Sequence, residues 1–441
     1  MKPLNIIYIH SHDTGRYISP YGHDVDTPNM QQLAEEGVLF RKTFCAGPTC
    51  SPSRAGLLTG QTPHCVGMLG LAHRGFALND YSQHLSAFLN RNGYTTALAG
   101  FQHEAAAPFA VPHDALTYDQ FSDKETDNPK KLERQDWAAE FIKSDHEKPF
   151  FLSVGFFETH RVFPKEPDPR DDPRYCLAPT PLPDNEQTRY DMACFKTMAR
   201  TLDTKMGVVF QAVKDAGLED NTLIICTTDH GIAFPAMKCS MTDFGIGVML
   251  IVKGPQGFTG GKVVDGMVSH IDVFPTICEL TGLDKPDYLQ GKSIMPMVKG
   301  DVAEVNEQIF SEVTHHAAYE PKRCVRTNRY KYILRLDDDF DTTVMPNCDN
   351  SISKTHWANY EWAKANVPKE QLYDLEFDPN EMCNLVEKSD MQDVLADMRG
   401  RLDDWMKRTN DPILDGPVKV PSGGAETPRD KYSPADVVKI P

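Results

Sequence analysis

No apolar run in this 441-residue sequence approaches the roughly 20 residues that a helix needs to cross a membrane. Nothing at the amino terminus is laid out as a signal peptide. Met1-Lys2-Pro3 passes directly into a short apolar run at 4–9. The expected location is the cytoplasm for the chain as given, and the periplasm or the exterior if a leader has been removed. No C-x-x-C pair occurs, and the eleven cysteines are odd in number and irregularly spaced, which excludes a disulfide scaffold and suits a reducing compartment. Positive charge is short: 46 Lys and Arg stand against 63 Asp and Glu, for a net charge of −17. Long-range attraction to nucleic acid or an anionic membrane is thereby excluded, although a small basic pocket is compatible with it. Internal repeats are also missing.

What is present is enough for a large core. Hydrophobic residues make up 40% and charged residues 25%, which excludes disorder over the whole chain. The length allows one large domain and a smaller one. Residues 4–9 read as a buried strand that ends in His10-Ser11-His12-Asp13. Thr27-Pro28 opens a helix closed by Gly37, and residues 82–92 form another, closed by Gly93. Strands are predicted at 94–99, 150–155, 222–228 and 247–252, and a long helix at 190–216. The Pro-, Asp- and Arg-rich stretch 163–187 reads as a surface loop. Alternating strands and helices predict an α/β domain over 1–305 with a large mixed, mostly parallel sheet flanked by helices. Beyond it, short strands at 323–327, 330–336 and 371–375, with a helix at 389–408, predict a small C-terminal antiparallel sheet plus helix over 306–441. The last thirty or so residues read as an extended tail.

Ligands of open parallel sheets gather outside the carboxyl ends of the strands. Two predicted strand ends carry an acid beside an imidazole: His12-Asp13 and Asp229-His230. Together they are candidates for a divalent metal, although a single Asp at such a place is more often a cap or turn former. Cys50-Ser51-Pro52-Ser53-Arg54 has Pro in a first helical turn with a serine cap. Free N–H groups there and the Arg54 charge favour an anion, and the same field is expected to depress the Cys50 thiol.

The run from Cys50 to Gly60, C-S-P-S-R-A-G-L-L-T-G, matches C-x-P-S-R-x-x-x-L-T-G, the signature of the type I, formylglycine-dependent sulfatases, at every fixed position. The resemblance continues over most of the chain: G-Y-T-T-A-L-A-G at 93–100 followed by His103, F-F-L-S-V at 150–154 leading to His160, and T-D-H-G at 228–231. The tail segments L-Y-D-L at 372–375, Asp378-Pro379, Glu381 and Asn384-Leu385 extend it. Within the family, Gly67-Met68, G-I-A-F-P at 231–235 and His315-His316 give a narrower likeness to heparan N-sulfatase, or sulfamidase.

The resemblance implies the alkaline-phosphatase/sulfatase-like fold and hydrolysis of a sulfate ester or sulfamate, on a carbohydrate. Cys50 is then the precursor of formylglycine, whose hydrated aldehyde attacks sulfur, and a separate maturation enzyme must install it. Arg54 and Lys238 clamp the sulfate, His160 is the general acid, and His103 takes the second hydroxyl proton. His12, Asp13, Asp229, His230 and position 50 hold the metal. His315 and His316 are candidates for substrate recognition, whereas His10 is read as core packing. The family pattern is broken three times. His12 stands where a second Asp is usual, Phe101-Gln102 follows Gly100 where a Lys is usual, and Lys238 replaces the sulfamidase Arg. Calcium is the implied ion, and imidazole at position 12 brings in manganese, iron or zinc. Three other readings stay open: a phosphomonoester or phosphonate-ester hydrolase of the same superfamily, a non-catalytic sugar-anion-binding relative, and a thiol hydrolase using Cys50 directly.

Overall fold

The computed structural model describes residues 3–106, 115–122 and 133–441; Met1 and Lys2, part of the amino-terminal reading above, lie outside them. An eight-stranded sheet organises the chain. Its order is Lys262–Val264, Val38–Phe40, Leu250–Lys253, Thr222–Thr228, Asn5–Ser11, Phe150–Gly155, Thr95–Gly100 and Gln120–Phe121. Every neighbouring pair is parallel except the two made by Leu250–Lys253. The central strand Asn5–Ser11 is buried throughout. Ile6 and Tyr8 face one core and Ile7 and Ile9 the other, because successive side chains alternate across a sheet covered on both faces. Helices Pro28–Glu36, Arg134–Lys143 and Glu186–Asp215 cover the second face. Cys50–Thr59, Leu85–Arg91 and Val273–Thr281 cover the first.

A separate sheet of Gln308–His315, Tyr319–Thr327, Tyr330–Arg335 and Glu370–Asp374 is antiparallel throughout. Helix Gln392–Arg408 packs Leu395, Met398, Leu402 and Trp405 onto Val325, Tyr332 and Leu372 of one face. On the other, Ile309, Val313, Cys324 and Ile333 meet Phe44, Cys45 and Val248 from the first part of the chain. Buried charges lock this seam: Lys331 pairs with Asp243 (2.6 Å) and Glu381 (2.9 Å), and Glu381 also accepts the Asp243 amide.

Several elements differ from the sequence expectation. The long helix starts at Glu186, four residues early, because Asn185 and Thr188 form a capping box. The run predicted at 247–252 is split: Gly247–Val248 pairs with Thr43–Phe44 in a small sheet, and only Leu250–Lys253 joins the large one. Strand Gln308–His315 has no hydrophobic period, since Ser311, Glu312, Thr314 and His315 are all buried polar residues. The eleven cysteines are all free thiols. Among the described residues no helix is long and apolar enough to cross a membrane.

A second charged latch joins His64 to Glu312 (2.8 Å) and Asp411 (3.9 Å). Burial alone would lower the His64 pKa, but Glu312, the Cys65 sulfur and Asp411 raise it from 6.5 to about 10. The folded chain therefore holds this proton more tightly than the unfolded chain. The stabilisation is complete below pH 6.5 and is lost as the pH rises through about 10. Relative to His64→Gln, the native protein is expected to lose up to ~1.4 kcal/mol per pH unit across that window. Urea unfolding at stepped pH measures it; parallel curves for the two proteins would remove His64 from the latch.

Candidate active site

Three adjacent strands end at one edge of the large sheet, and their loops build the site. Ser11 is in register with Thr228, and His10 with Gly155. Beyond the strands the loops stay tied. The Gly15 amide donates to the His230 carbonyl (2.9 Å) and the His12 amide to the Glu158 carbonyl (3.0 Å). Asp13 sits in the left-handed region at φ +49°, a conformation few residues other than glycine adopt. Its amide donates to Asp229 Oδ1 (2.9 Å), so the two acidic loops hold each other. Glycine at 231 is required by close approach: a Cβ there would lie 1.8 Å from the Phe244 carbonyl oxygen.

Helix Cys50–Thr59 aims its first turn at these loops. Its N-cap is Thr49, which makes no side-chain cap bond. The serines expected to cap it do other work: Ser51 Oγ accepts the Ala72 amide, and Ser53 Oγ donates to the Asp229 carbonyl. Cys50 Sγ lies 3.5 Å from His230 Nε2, and that nitrogen is 3.3 Å from Asp13 Oδ1. Arg54 Nη2 bonds Asp229 Oδ2 (3.1 Å) and the Ser11 carbonyl (3.0 Å), and Nη1 meets His10 Nδ1. His10 thus positions Arg54 as well as packing the core. Lys238 Nζ bonds Asp13 Oδ2 (3.1 Å) and Asp349 Oδ2 (3.0 Å) and lies 3.4 Å from His160 Nε2.

The donor atoms of His12, Asp13, Cys50 and Asp229 lie within 4.8 Å of one another. All four residues are buried. Asp13 Oδ1 and His12 Nε2 have no hydrogen-bond partner, although His12 Nδ1 lies 3.0 Å from Asp229 Oδ2. Three carboxylates, Asp13, Asp229 and Asp349, face only Arg54 and Lys238 as fixed cations. Unpaired buried donors around an excess of negative charge fit a divalent cation.

The electrostatics follow from this crowding. Burial opposes ionisation of Asp229, but His230, Arg54 and His12 hold its carboxyl well below the usual range. Lys238 is driven the other way, its burial outweighed by Asp13 and Asp349, so its charge is permanent. Burial, His73 and Arg54 keep His103 neutral. The Cys50 thiol reverses the sequence expectation: burial pushes it up, and Lys238 and Arg54 do not offset this against Asp229 and Asp13. An unmodified Cys50 is therefore a poor nucleophile at neutral pH, which counts against the thiol-hydrolase reading.

His103 and His160 join the cluster, their rings 6.3 Å and 5.4 Å from that of His12. Phe101, where the family carries Lys, packs edge-on against His12 at 4.3 Å and lies 5.4 Å from the Arg54 guanidinium. His316 is buried within the fields of Lys238 and Asp349. His315 is not brought to the site: its Nε2 donates to the Val418 carbonyl (2.9 Å), and its ring packs on Phe76 and Tyr319. Two residues escaped the sequence reading. His73 Nδ1 meets His103 Nε2 at 2.8 Å, and Asp349 reaches Lys238 from the C-terminal part of the chain. No local pattern marks either one. A cavity of about 450 Å³ lies against Lys238 and is bordered by Glu320, Lys322, Asn347, Trp357 and Trp362.

The sulfatase family model matches residues 4–283 of this chain. The chain belongs to the sulfatase family. It is a hydrolase of sulfuric esters or sulfamates. A second model, N-sulphoglucosamine sulphohydrolase, C-terminal, matches residues 236–350. Human N-sulphoglucosamine sulphohydrolase is 26% identical, covering 94% of this chain and 92% of its own. An ulvan-active sulfatase of Formosa agariphila is 28% identical, covering 95% and 83%. A solved structure in complex with its substrate D-glucosamine-2-N,6-O-disulfate shares the fold at a TM-score of 0.71 and 18% identity, over 94% of this sulfatase and 99% of that chain.

Proposed function

We propose that this sulfatase removes sulfate from a carbohydrate, as an ester or a sulfamate, with a formylglycine made from Cys50 by a separate maturation enzyme. The observation that carries the proposal is the placement of Cys50. Its sulfur opens a helix, is buried among His12, Asp13 and Asp229, and has Arg54 and Lys238 beside those carboxylates. Asp13, Asp229, His12 and His230, with the modified position 50, would hold a divalent metal; calcium suits the carboxylates, and manganese or zinc the imidazoles. The hydrated aldehyde would supply an oxygen nucleophile, and a bound metal would neutralise sulfate oxygens.

Arg54 and Lys238 carry the fixed positive charge that receives the sulfate group. In this reading His160, 23% exposed at its side chain and 3.4 Å from Lys238, donates a proton to the leaving oxygen or nitrogen. Neutral His103, held by His73, can accept a proton. The cavity beside Lys238 is lined by Trp357, Trp362 and polar groups and has the size of a small saccharide. The human and Formosa relatives, named for sugar and polysaccharide sulfates, support the carbohydrate reading.

The test is sulfate release from glucosamine N-sulfate and glucosamine 6-O-sulfate, run beside glucosamine 6-phosphate. At least one sulfated sugar is expected to be cleaved about 100-fold faster than the phosphate, a margin of ~2.7 kcal/mol. Faster phosphate release would establish the phosphomonoesterase reading instead. Lys238→Met is expected to lower kcat/KM by roughly 10²- to 10³-fold, as for loss of one donor to a developing oxyanion, with partial recovery in Lys238→Arg. A kcat/KM ratio near unity for Lys238→Met would remove Lys238 from the clamp.

A further inference from the structure

Away from the active site, Cys65 sits in a setting built for a thiolate. Thr62 Oγ1 donates to its sulfur at 3.2 Å and Gln290 Nε2 at 3.1 Å. The imidazole of His64 acts on the same sulfur through its charge. That ring is buried, Nε2 has no hydrogen-bond partner, and Nδ1 is anchored on Glu312 at 2.8 Å. Glu312 therefore holds a buried imidazole next in the chain to a sulfur that already accepts two hydrogen bonds, surroundings that favour the thiolate form. One acceptor, the Thr409 carbonyl oxygen, lies 3.5 Å from the sulfur and favours the thiol. The other charges packed on His64 and Glu312 are Asp411, 3.9 Å from His64, and Arg323, which bonds Asp411 and lies 3.4 Å from Glu312. Arg323 also makes the His64, Glu312 and Asp411 group an ion-pair network rather than a metal site.

We propose that Cys65 is the site at which this chain is modified by hydroperoxides and related soft electrophiles. Burial pulls the thiol up, yet the His64 charge, with the Thr62 and Gln290 bonds, brings it below its ordinary value. Exposure allows reaction, because Cys65 is only half-buried whereas nine of the other ten cysteines are buried. With a hydroperoxide, sulfur attacks one oxygen. An S–O bond forms, the O–O bond breaks and sulfur loses two electrons to become a sulfenic acid. The hydroxide or alkoxide that leaves takes a proton from solvent. The added oxygen crowds the Gln290 and Thr62 contacts, and so loosens the loop that follows the Cys50 helix.

The exposed Cys383 provides an internal control. Limited iodoacetamide labelling of the full-length protein, read by peptide mass spectrometry, is run near pH 6.5 and near pH 8.5. Cys65 is expected to react about tenfold faster than Cys383 at the lower pH, where only a lowered thiol pKa gives appreciable thiolate. Gln290→Ala, a surface change, is expected to narrow that ratio without unfolding the protein, and His64→Gln to abolish it. Hydrogen peroxide with dimedone trapping is expected to mark Cys65 first. Labelling that follows exposure alone, with Cys383 ahead at both pH values, would overturn the proposal, as would dimedone capture that bypasses Cys65.

Discussion

Cys50→Ala is expected to remove roughly four to six orders of magnitude from kcat/KM for sulfate release, the scale of losing a covalent nucleophile. The fold should survive the change. Alanine is a strong helix former, and among the described residues the only side-chain bond lost is the 3.5 Å contact to His230. The cost in stability is therefore about 1 kcal/mol, from the small void left by sulfur. Activity and thermal unfolding measured on one preparation separate the two effects. An alanine variant that keeps more than about 1% of the activity would show that catalysis does not pass through position 50. Peptide mass on the native protein completes the test. The thiol replaced by an aldehyde is the expected product, and an intact thiol there would leave only a buried, unreactive sulfur.

Arg323→Met carries the largest expected loss of stability, about 3–5 kcal/mol. Arg323 is fully buried and forks onto Asp411 at 2.6 and 2.9 Å, with a further bond to the Val313 carbonyl at 2.8 Å. Methionine fills similar volume but leaves Asp411 and Glu312 facing His64 as their remaining partner in the network. Two buried carboxylates against one imidazolium are under-compensated, and dehydration makes that costly. Arg323→Met combined with Asp411→Leu should recover part of the loss by removing one of the stranded charges. Urea unfolding followed by tryptophan fluorescence is a suitable readout, since Trp405 packs against His64. A loss under about 1 kcal/mol in the single variant would mean that the seam does not depend on this ion pair.

Much of the active site was legible because its signals are local. A strand running into His12-Asp13, another into Asp229-His230, and Cys50 four residues before Arg54 each need only neighbouring residues to be read. The family resemblance supplied roles for His103, His160 and Lys238, and the structure gathers all three around the acidic loops. His73 and Asp349 were not legible. Lys238 and Asp349 are 111 residues apart, and His73 and His103 are 30 apart with no periodicity linking them. The histidine pair at 315–316 reads as one unit in sequence, yet His315 closes its strand and His316 begins the turn that follows. His316 accordingly enters the fields of Lys238 and Asp349 while His315 turns to Val418 and Phe76.

By itself the sequence determined the chemical type of this protein. A parallel α/β sheet follows from buried apolar runs alternating with amphipathic helices, and a sulfatase from the run at 50–60, because both are written in short-range order. Only the tertiary structure decided the charge state of the site. The field expected to depress Cys50 was read from its own helix, whereas the carboxylates of Asp13 and Asp229 that oppose it come from distant loops. Tertiary structure also decided that Lys238 is clamped between carboxylates far apart in the chain, and that an ordinary-looking Cys65 accepts from Thr62 and Gln290. Charges and desolvation act through space, and distance in space is what the order of residues does not record.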